Sequence, residues 1–362
     1  MRIRKPCAAQ TAGLGNIFSQ KNNKGEENET MKKILALVLV LIMALGLAAC
    51  AAPAAPAEEP TPAAEPETEK VDSQAILAEL KTPAEESNWE RTTSSQEVID
   101  FLKVVAEHSA GRIILDTTTF ATEAGTPIPY MIISDVAPAS PADVPEDKGV
   151  VYVNCNIHSG EIEGKESMMI FAREVAQGKH DDLLKDLVVI IVPNSNPDGN
   201  DNLGKNRITT QFTPKLVGTR AEGNGLNVNR DMTKLETACG RTIVKLMNDW
   251  NPILFIDAHA TDGSYMRHAV TYNWGLNAGT DAELLAYNRD VFCSRALREG
   301  SYLASKGKVA VPYGNWGYYY SDIVAEGWRT FEDYARYTTN YAGLRNRLAL
   351  LLEVCLLYTS DA

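Results

Sequence analysis

Two histidines in this chain stand at the ends of apolar runs. His158 follows residues 149–157 (GVVYVNCNI), with Glu161 three residues after it, and His259 closes residues 254–259 (LFIDAH). A histidine and a carboxylate at that spacing converge on one ion when the chain turns into a helix. The ends of buried strands are also where α/β sheets place their sites. Taken singly, each signal has a plainer reading: a helix cap with a solvated glutamate, or a structural histidine at a strand end. As a set, two imidazoles and one carboxylate leave zinc a fourth position open for water, as catalytic zinc sites require. The remaining histidines, His108, His180 and His268, fall in polar stretches, though His268 is close enough to His259 in sequence to be a substrate contact.

A further carboxylate, Glu353, interrupts the apolar run Leu350-Leu351-Leu352-Glu353-Val354. Burial there is costly unless the group has a partner or a task, and burial moves a carboxyl pKa toward the range of a general base. A strand-end glutamate facing water is the alternative. Residues 194–231 are rich in Asn, Gly, Asp, Pro and Thr and read as one long loop, a feature often tied to function. It carries Asn196-Pro197-Asp198-Gly199, Gly218-Thr219-Arg220 and Gly225-Leu226-Asn227-Val228-Asn229-Arg230-Asp231. An arginine offers a planar fork to a carboxylate. Exposure to solvent is the ordinary state of a loop arginine, and Asn-Gly ordinarily marks a turn.

The elements that must position these residues alternate in type. Helical spacing marks residues 92–107, 165–176, 233–248 and 281–306, while β-rich or buried-strand runs mark 112–118, 129–133, 149–157, 186–192, 253–258 and 348–354. Residues 312–343 are aromatic and Gly-rich, as in loops that cover a site. Strands alternating with helices predict an α/β domain around a largely buried sheet.

In this order the motifs resemble the zinc carboxypeptidase family, that is, the carboxypeptidase A/B-like metallopeptidases. The resemblance runs from about Thr92 to Val354: His158-x-x-Glu161, Asn196-Pro197-Asp198-Gly199, the GTR…GLNVNRD segment, His259 and Glu353. It implies a mixed, twisted eight-stranded sheet flanked by helices, and one zinc ion held by His158, Glu161 and His259. It also implies Glu353 as the base that activates water, Arg220 as the group that stabilises the oxyanion, and Asn229 and Arg230 as the grip on a terminal carboxylate. Arg207 competes with Arg220, whose spacing to Asn229-Arg230 fits family members with short loops. Asp231-Met232 departs from the Asn-aromatic pair usual after Asn-Arg. The family's substrate-side tyrosine has no motif; Tyr320, Tyr334, Tyr337 and Tyr341 are its candidates. Relatives with the same donor set act on N-acyl amino acids or cell-wall stem peptides, so such an amidohydrolase is a competing reading, as is a non-catalytic binding lipoprotein.

Composition sets the context. The formal charge is −12, and residues 1–49 hold seven basic and three acidic residues, so the remainder is more acidic still. That argues against a nucleic-acid partner. Residues 31–49 have a Lys32-Lys33 start and an apolar run shorter than the roughly 20 residues of a membrane span, ending in the lipobox-like Leu47-Ala48-Ala49-Cys50. They read as a lipoprotein signal peptide with Cys50 as the lipidation site. The expected product is an extracytoplasmic protein anchored to the bacterial cell membrane. Residues 50–71, mostly Ala, Pro, Glu and Thr, read as a disordered spacer, and residues 72–354 as the catalytic domain. Residues 1–30 read as a mis-assigned start. The tail 355–362 reads as non-native sequence truncating the domain. Of the six cysteines, Cys155, Cys239 and Cys293 show neither pairing nor metal spacing and read as buried small hydrophobes.

Overall fold

The structure is a computed structural model and describes residues 72–206, 214–261, 268, 270–298, 300–316 and 327–354. The signal run, Cys50, the spacer, Arg207, Tyr320 and the tail 355–362 lie outside the described residues.

Apolar runs of the sequence become strands β1 (Ile113–Asp116), β2 (Tyr130–Ile133), β3 (Gly149–Cys155), β4 (Leu187–Val192) and β5 (Leu254–Ala260). Strands β6 (Val270–Trp274), β7 (Ala310–Pro312), β8 (Asn315–Trp316), β9 (Trp328–Arg329) and β10 (Leu348–Val354) follow. Eight of them form one mixed sheet in the order β1-β2-β4-β3-β5-β10-β6-β7, while β8 and β9 pair separately. The central strands β4, β3, β5 and β10 run parallel. Their residues are buried almost throughout, which is why they appear as continuous apolar runs rather than alternating ones.

Each face of the sheet has its own core. Helices α1 (Ser95–Glu107) and α2 (Glu163–Ala176) cover one face, where Leu102, Met168 and Phe171 pack on Val153, Ile256 and Leu352. Helix α3 (Ala238–Trp250) covers the other, with Ile243 and Met247 against Tyr152 and Phe255, and helix α4 (Thr338–Leu344) adds Ala342 against Ala349. Gly164 lets α2 lie close to the sheet: a Cβ there would stand 3.0 Å from the Ala258 Cβ and 3.1 Å from the Cys155 Cβ. Cys155, Cys239 and Cys293 are buried free thiols.

Three expectations change. The run 281–306 is not one helix: it breaks into Ala282–Ala286, the π-helical Tyr287–Phe292, Cys293–Leu297 and Tyr302–Ser305. The buried side chain of Asn288 donates to the Ala349 carbonyl (2.9 Å), so the wide turn seats a polar side chain against a β10 backbone acceptor. Helix α3 starts later than its apolar pattern, at the Thr237 cap, because the buried Asp231 carboxylate accepts from the Glu236 and Thr237 amides and the Thr237 hydroxyl. The stretch 312–343 contains the β8–β9 pair and α4 as well as loop.

Candidate metal centre and active site

Strand β3 ends at Cys155, and Asn156 (φ 60°) turns the chain through the left-handed region. The Asn156 amide donates to Asn194 Oδ1 (2.8 Å) and Asn200 Oδ1 (3.0 Å), which holds this unusual turn. Residues 158–161 then close a second turn, with the Glu161 amide donating to the His158 carbonyl (2.8 Å), before α2 begins. His259 needs no turn, because β5 itself carries it. Glu353 stands beside it: the parallel pairing of β5 with β10 sets Glu353 opposite His259. Residues in register on neighbouring strands project to the same face, so Asp257, His259, Leu351 and Glu353 continue the row begun by Phe255 and Ala349 to the sheet's C-terminal edge.

His158, Glu161 and His259 are buried, and their ligand atoms all lie within 4.8 Å of one another. Glu161 Oε1 is 3.0 Å from His158 Nδ1, and its Oε2 is 2.6 Å from His259 Nδ1. The outer nitrogens fix the proton positions. His259 Nε2 lies 3.0 Å from Asp257 Oδ2, an acceptor, so that nitrogen donates. His158 Nε2 lies 3.1 Å from Asn227 Oδ1, which also accepts the Asn229 amide at 3.0 Å, so it too faces an acceptor. With its proton on Nε2, the neutral His158 ring turns its Nδ1 toward the Glu161 carboxylate, and His259 turns its own Nδ1 to the other carboxylate oxygen. Two ring nitrogens and a carboxylate converging on one point suit a proton or a metal cation between them. Two imidazole nitrogens, one carboxylate and outer partners orienting each ring suit zinc, so the donor set fits that ion.

The electrostatics agree. Burial pushes His158 down to about 4, so it is neutral near pH 7, as a ligand must be. Burial also opposes charge on His259, but Asp257 and Glu161 on either side outweigh it and hold its pKa well above the usual value. Burial would raise Glu161, yet the two imidazoles bring it well below the ordinary carboxyl range. A positive charge is therefore favoured between His259 and Glu161, where a proton or a metal ion can supply it.

The long loop supplies the rest. Gly218 presses against Gly199 and Ser159 so tightly that a Cβ would stand 2.4 Å from the Gly199 carbonyl oxygen. That contact carries Arg220 to the site, where its Nη1 donates to Glu161 Oε1 (3.1 Å). Asn229 is buried; its Oδ1 accepts from the Thr338 amide and hydroxyl (3.0 Å each), which leaves its amide nitrogen facing inward, 3.4 Å from His259 Nε2. Arg230 donates to the Asn229 carbonyl (2.7 Å) and lies 4.0 Å over the Tyr337 ring. His158, Glu161, His259, Arg220, Asn229, Arg230 and Glu353 all line one pocket.

Of the tyrosine candidates, Tyr337 lines this pocket and donates to Glu332, while Tyr334 is exposed and Tyr341 packs beside the α3 core. His268 is not among the lining residues. Asn196-Pro197-Asp198-Gly199 acts as scaffold: Asn196 caps a short helix and donates to the Ile157 carbonyl (3.2 Å), and Asp198 accepts from Thr122 (2.9 Å) and Thr126 (2.6 Å). Sequence reasoning missed Asp257, Asn227 and Thr338 as partners of the site. A carboxylate two positions before His259 in an apolar strand was the available signal for Asp257.

Residues 114–242 match the family model described as zinc carboxypeptidase. The fold is that of the metallocarboxypeptidases. A metallo-carboxypeptidase from Burkholderia cenocepacia aligns at 17% identity and TM-score 0.50, over 75% of this chain and 62% of that one. One from Pseudomonas aeruginosa, solved in complex with (2-guanidinoethylmercapto)succinic acid, aligns at 17% identity and TM-score 0.47, over 71% and 60%. The chain spans about three-fifths of the length of such structures. No curated protein sequence matches it.

Proposed function

We propose that this chain is a zinc-dependent metallopeptidase that hydrolyses peptide bonds and releases C-terminal residues. The observation that carries the reading is the buried His158–Glu161–His259 acceptor cluster with Glu353 in register beside it. His158, Glu161 and His259 would hold a zinc ion, which would supply polarisation of the scissile carbonyl and a more acidic water. Glu353 accepts the proton of the attacking water and passes it to the leaving amine. Arg220, a cation beside Glu161, stabilises negative charge on the carbonyl oxygen, as fixed donors do where charge develops. The inward amide of Asn229 and the guanidinium of Arg230 hold the substrate's terminal carboxylate. Tyr337 backs Arg230 and keeps the guanidinium in place.

The reading includes location. Residues 31–50 support export and lipid attachment through Cys50, which would put the site outside the cell membrane.

The purified chain is expected to bind about one zinc per molecule, to lose activity on chelation and to regain it with zinc. Incubation with N-acyl dipeptides, N-acyl amino acids and muropeptides tests the reaction class. Release of a C-terminal amino acid from the dipeptides supports it. Full-rate hydrolysis by metal-free protein, or no cleavage of any dipeptide by zinc-loaded protein, would overturn it.

A further inference from the structure

Among the described residues, three arginines, Arg220, Arg230 and Arg329, line the pocket in a chain of formal charge −12. Two have work already on the page: Arg220 donates to Glu161, and Arg230 is stacked on Tyr337. Arg329 has neither kind of contact, and among the described residues its guanidinium has no carboxylate within ion-pair distance.

The backbone that carries this exposed side chain is nevertheless fixed. Arg329 pairs with Asn315 across β8–β9. Gly314 lies so close beneath that a Cβ there would stand 2.5 Å from the Arg329 carbonyl oxygen and 2.7 Å from the Trp328 indole nitrogen. The next residue, Thr330, accepts from the Asn273 amide of β6 (2.6 Å). Beyond it, Asn340 of α4 donates to the Glu332 and Tyr334 carbonyls (2.9 and 3.0 Å). Residues 329–332 thus form a wall tied to the main sheet and to α4, and all four line the pocket. Among the described residues, outside the metal cluster and the proposed base, the carboxylate lining the pocket is Glu332, which is engaged by the Tyr337 hydroxyl. Among the described lining residues, the charge left to meet a substrate side chain is positive.

We propose that Arg329 is a specificity-determining residue that selects substrates whose terminal residue carries a second carboxylate. C-terminal glutamate or aspartate is then preferred over apolar and basic ends. The proposal rests on the carboxypeptidase reading, in which Asn229 and Arg230 take the main-chain carboxylate. A guanidinium binds a carboxylate through two parallel hydrogen bonds. An apolar side chain forgoes that pair, and a lysine or arginine side chain is repelled.

The test is a rate comparison on zinc-loaded protein with hippuryl-type substrates ending in Glu, Phe and Lys. The Glu substrate is expected to show a kcat/KM on the order of tenfold or more above Phe, the equivalent of one charge-assisted hydrogen bond, with Lys lower still. R329E should reverse the Glu-to-Lys order, and R329Q should abolish the Glu-over-Phe advantage through KM, leaving kcat on the Phe substrate near wild type. Calorimetry with N-acetyl-glutamate, N-acetyl-phenylalanine and N-acetyl-lysine reads the same order without turnover. If no substrate is cleaved but N-acetyl-glutamate binds tightest and R329Q removes that advantage, the peptidase reading fails and the assignment of Arg329 stands. Equal or better handling of Phe or Lys ends by wild type, in rate or in binding, or an unchanged order in R329E and R329Q, overturns the assignment.

Discussion

The two histidines proposed as ligands, His158 and His259, have unlike outer partners, and the difference has measurable consequences. His158 leans on the neutral amide oxygen of Asn227, while His259 leans on the buried carboxylate of Asp257, itself held by Asn154 (3.1 Å) and by the Thr338 hydroxyl. A carboxylate behind an imidazole raises its basicity and fixes its tautomer, and losing such a partner typically costs about 10–100-fold in metal affinity. Asp257→Asn is therefore expected to weaken zinc binding by about that factor in a chelator competition. Unchanged affinity would mean that Asp257 only fills space. Glu353 predicts a different signature, because it is placed as a base and not as a ligand. Glu353→Gln should keep its zinc and lose about 10²–10⁴-fold in kcat. A variant that loses zinc in proportion to activity would return Glu353 to a structural role.

At the scale of elements, a buried polar network behind the metal turn ties three segments together. Lys165 on α2 is fully buried, and its ammonium donates to the Thr92 hydroxyl (2.8 Å), the Thr93 carbonyl and Asn200 Oδ1 (2.6 Å), with Glu166 3.5 Å away. Burial lowers its pKa. Asn200 continues through Asn156 to the start of the His158 turn. Lys165→Met removes one member of a buried ion pair, a change that typically costs 3–5 kcal/mol. A stability loss of about 3 kcal/mol is expected in denaturant unfolding, with any zinc-affinity change following the shifted Asn156 turn. A loss under about 1 kcal/mol would show that the network is not a support. None of this was legible in the sequence, where Lys165 and Glu166 look like surface residues of an amphipathic helix. The central strands were legible, because burial on both faces writes itself as unbroken apolar runs. Strand β6 (VTYNW) and the three-residue β7 were not, since so short a run has no period of its own and is a strand only by pairing with β10 and with each other. His158, His259 and Glu353 could be read because each ends or interrupts an apolar run, and Glu161 because it stands three residues after His158. Asp257 interrupts such a run too, but its meeting with His259, Asn154 and Thr338 depends on sheet register, and Arg329 sits on a loop wall that has no local signature.

At the scale of the molecule, the question is where this pocket works. None of the described helices is long and apolar enough to cross a membrane. We propose the run 31–50, with its Lys32-Lys33 start and its Leu47-Ala48-Ala49-Cys50 end, as a membrane attachment. One acyl chain gives only marginal membrane binding and two give stable anchoring. Mature protein extracted from membranes should therefore carry lipid on Cys50 and resist release by high salt. The spacer that follows, residues 50–71, is rich in proline, and extended proline-rich chain covers roughly 3 Å per residue. In that proposal, a spacer of this length would hold the pocket clear of the lipid headgroups and let it reach substrates beyond the membrane surface. Cys50→Ala is expected to move the protein from the membrane pellet to the soluble or secreted fraction while leaving kcat/KM on a small dipeptide unchanged, because the pocket and the anchor share no residue. Shortening the spacer should leave the small dipeptide unaffected and slow cleavage of large, wall-bound substrates. Mass spectrometry showing an unmodified Cys50 in mature protein, or a Cys50→Ala variant still in the pellet, would refute the anchor.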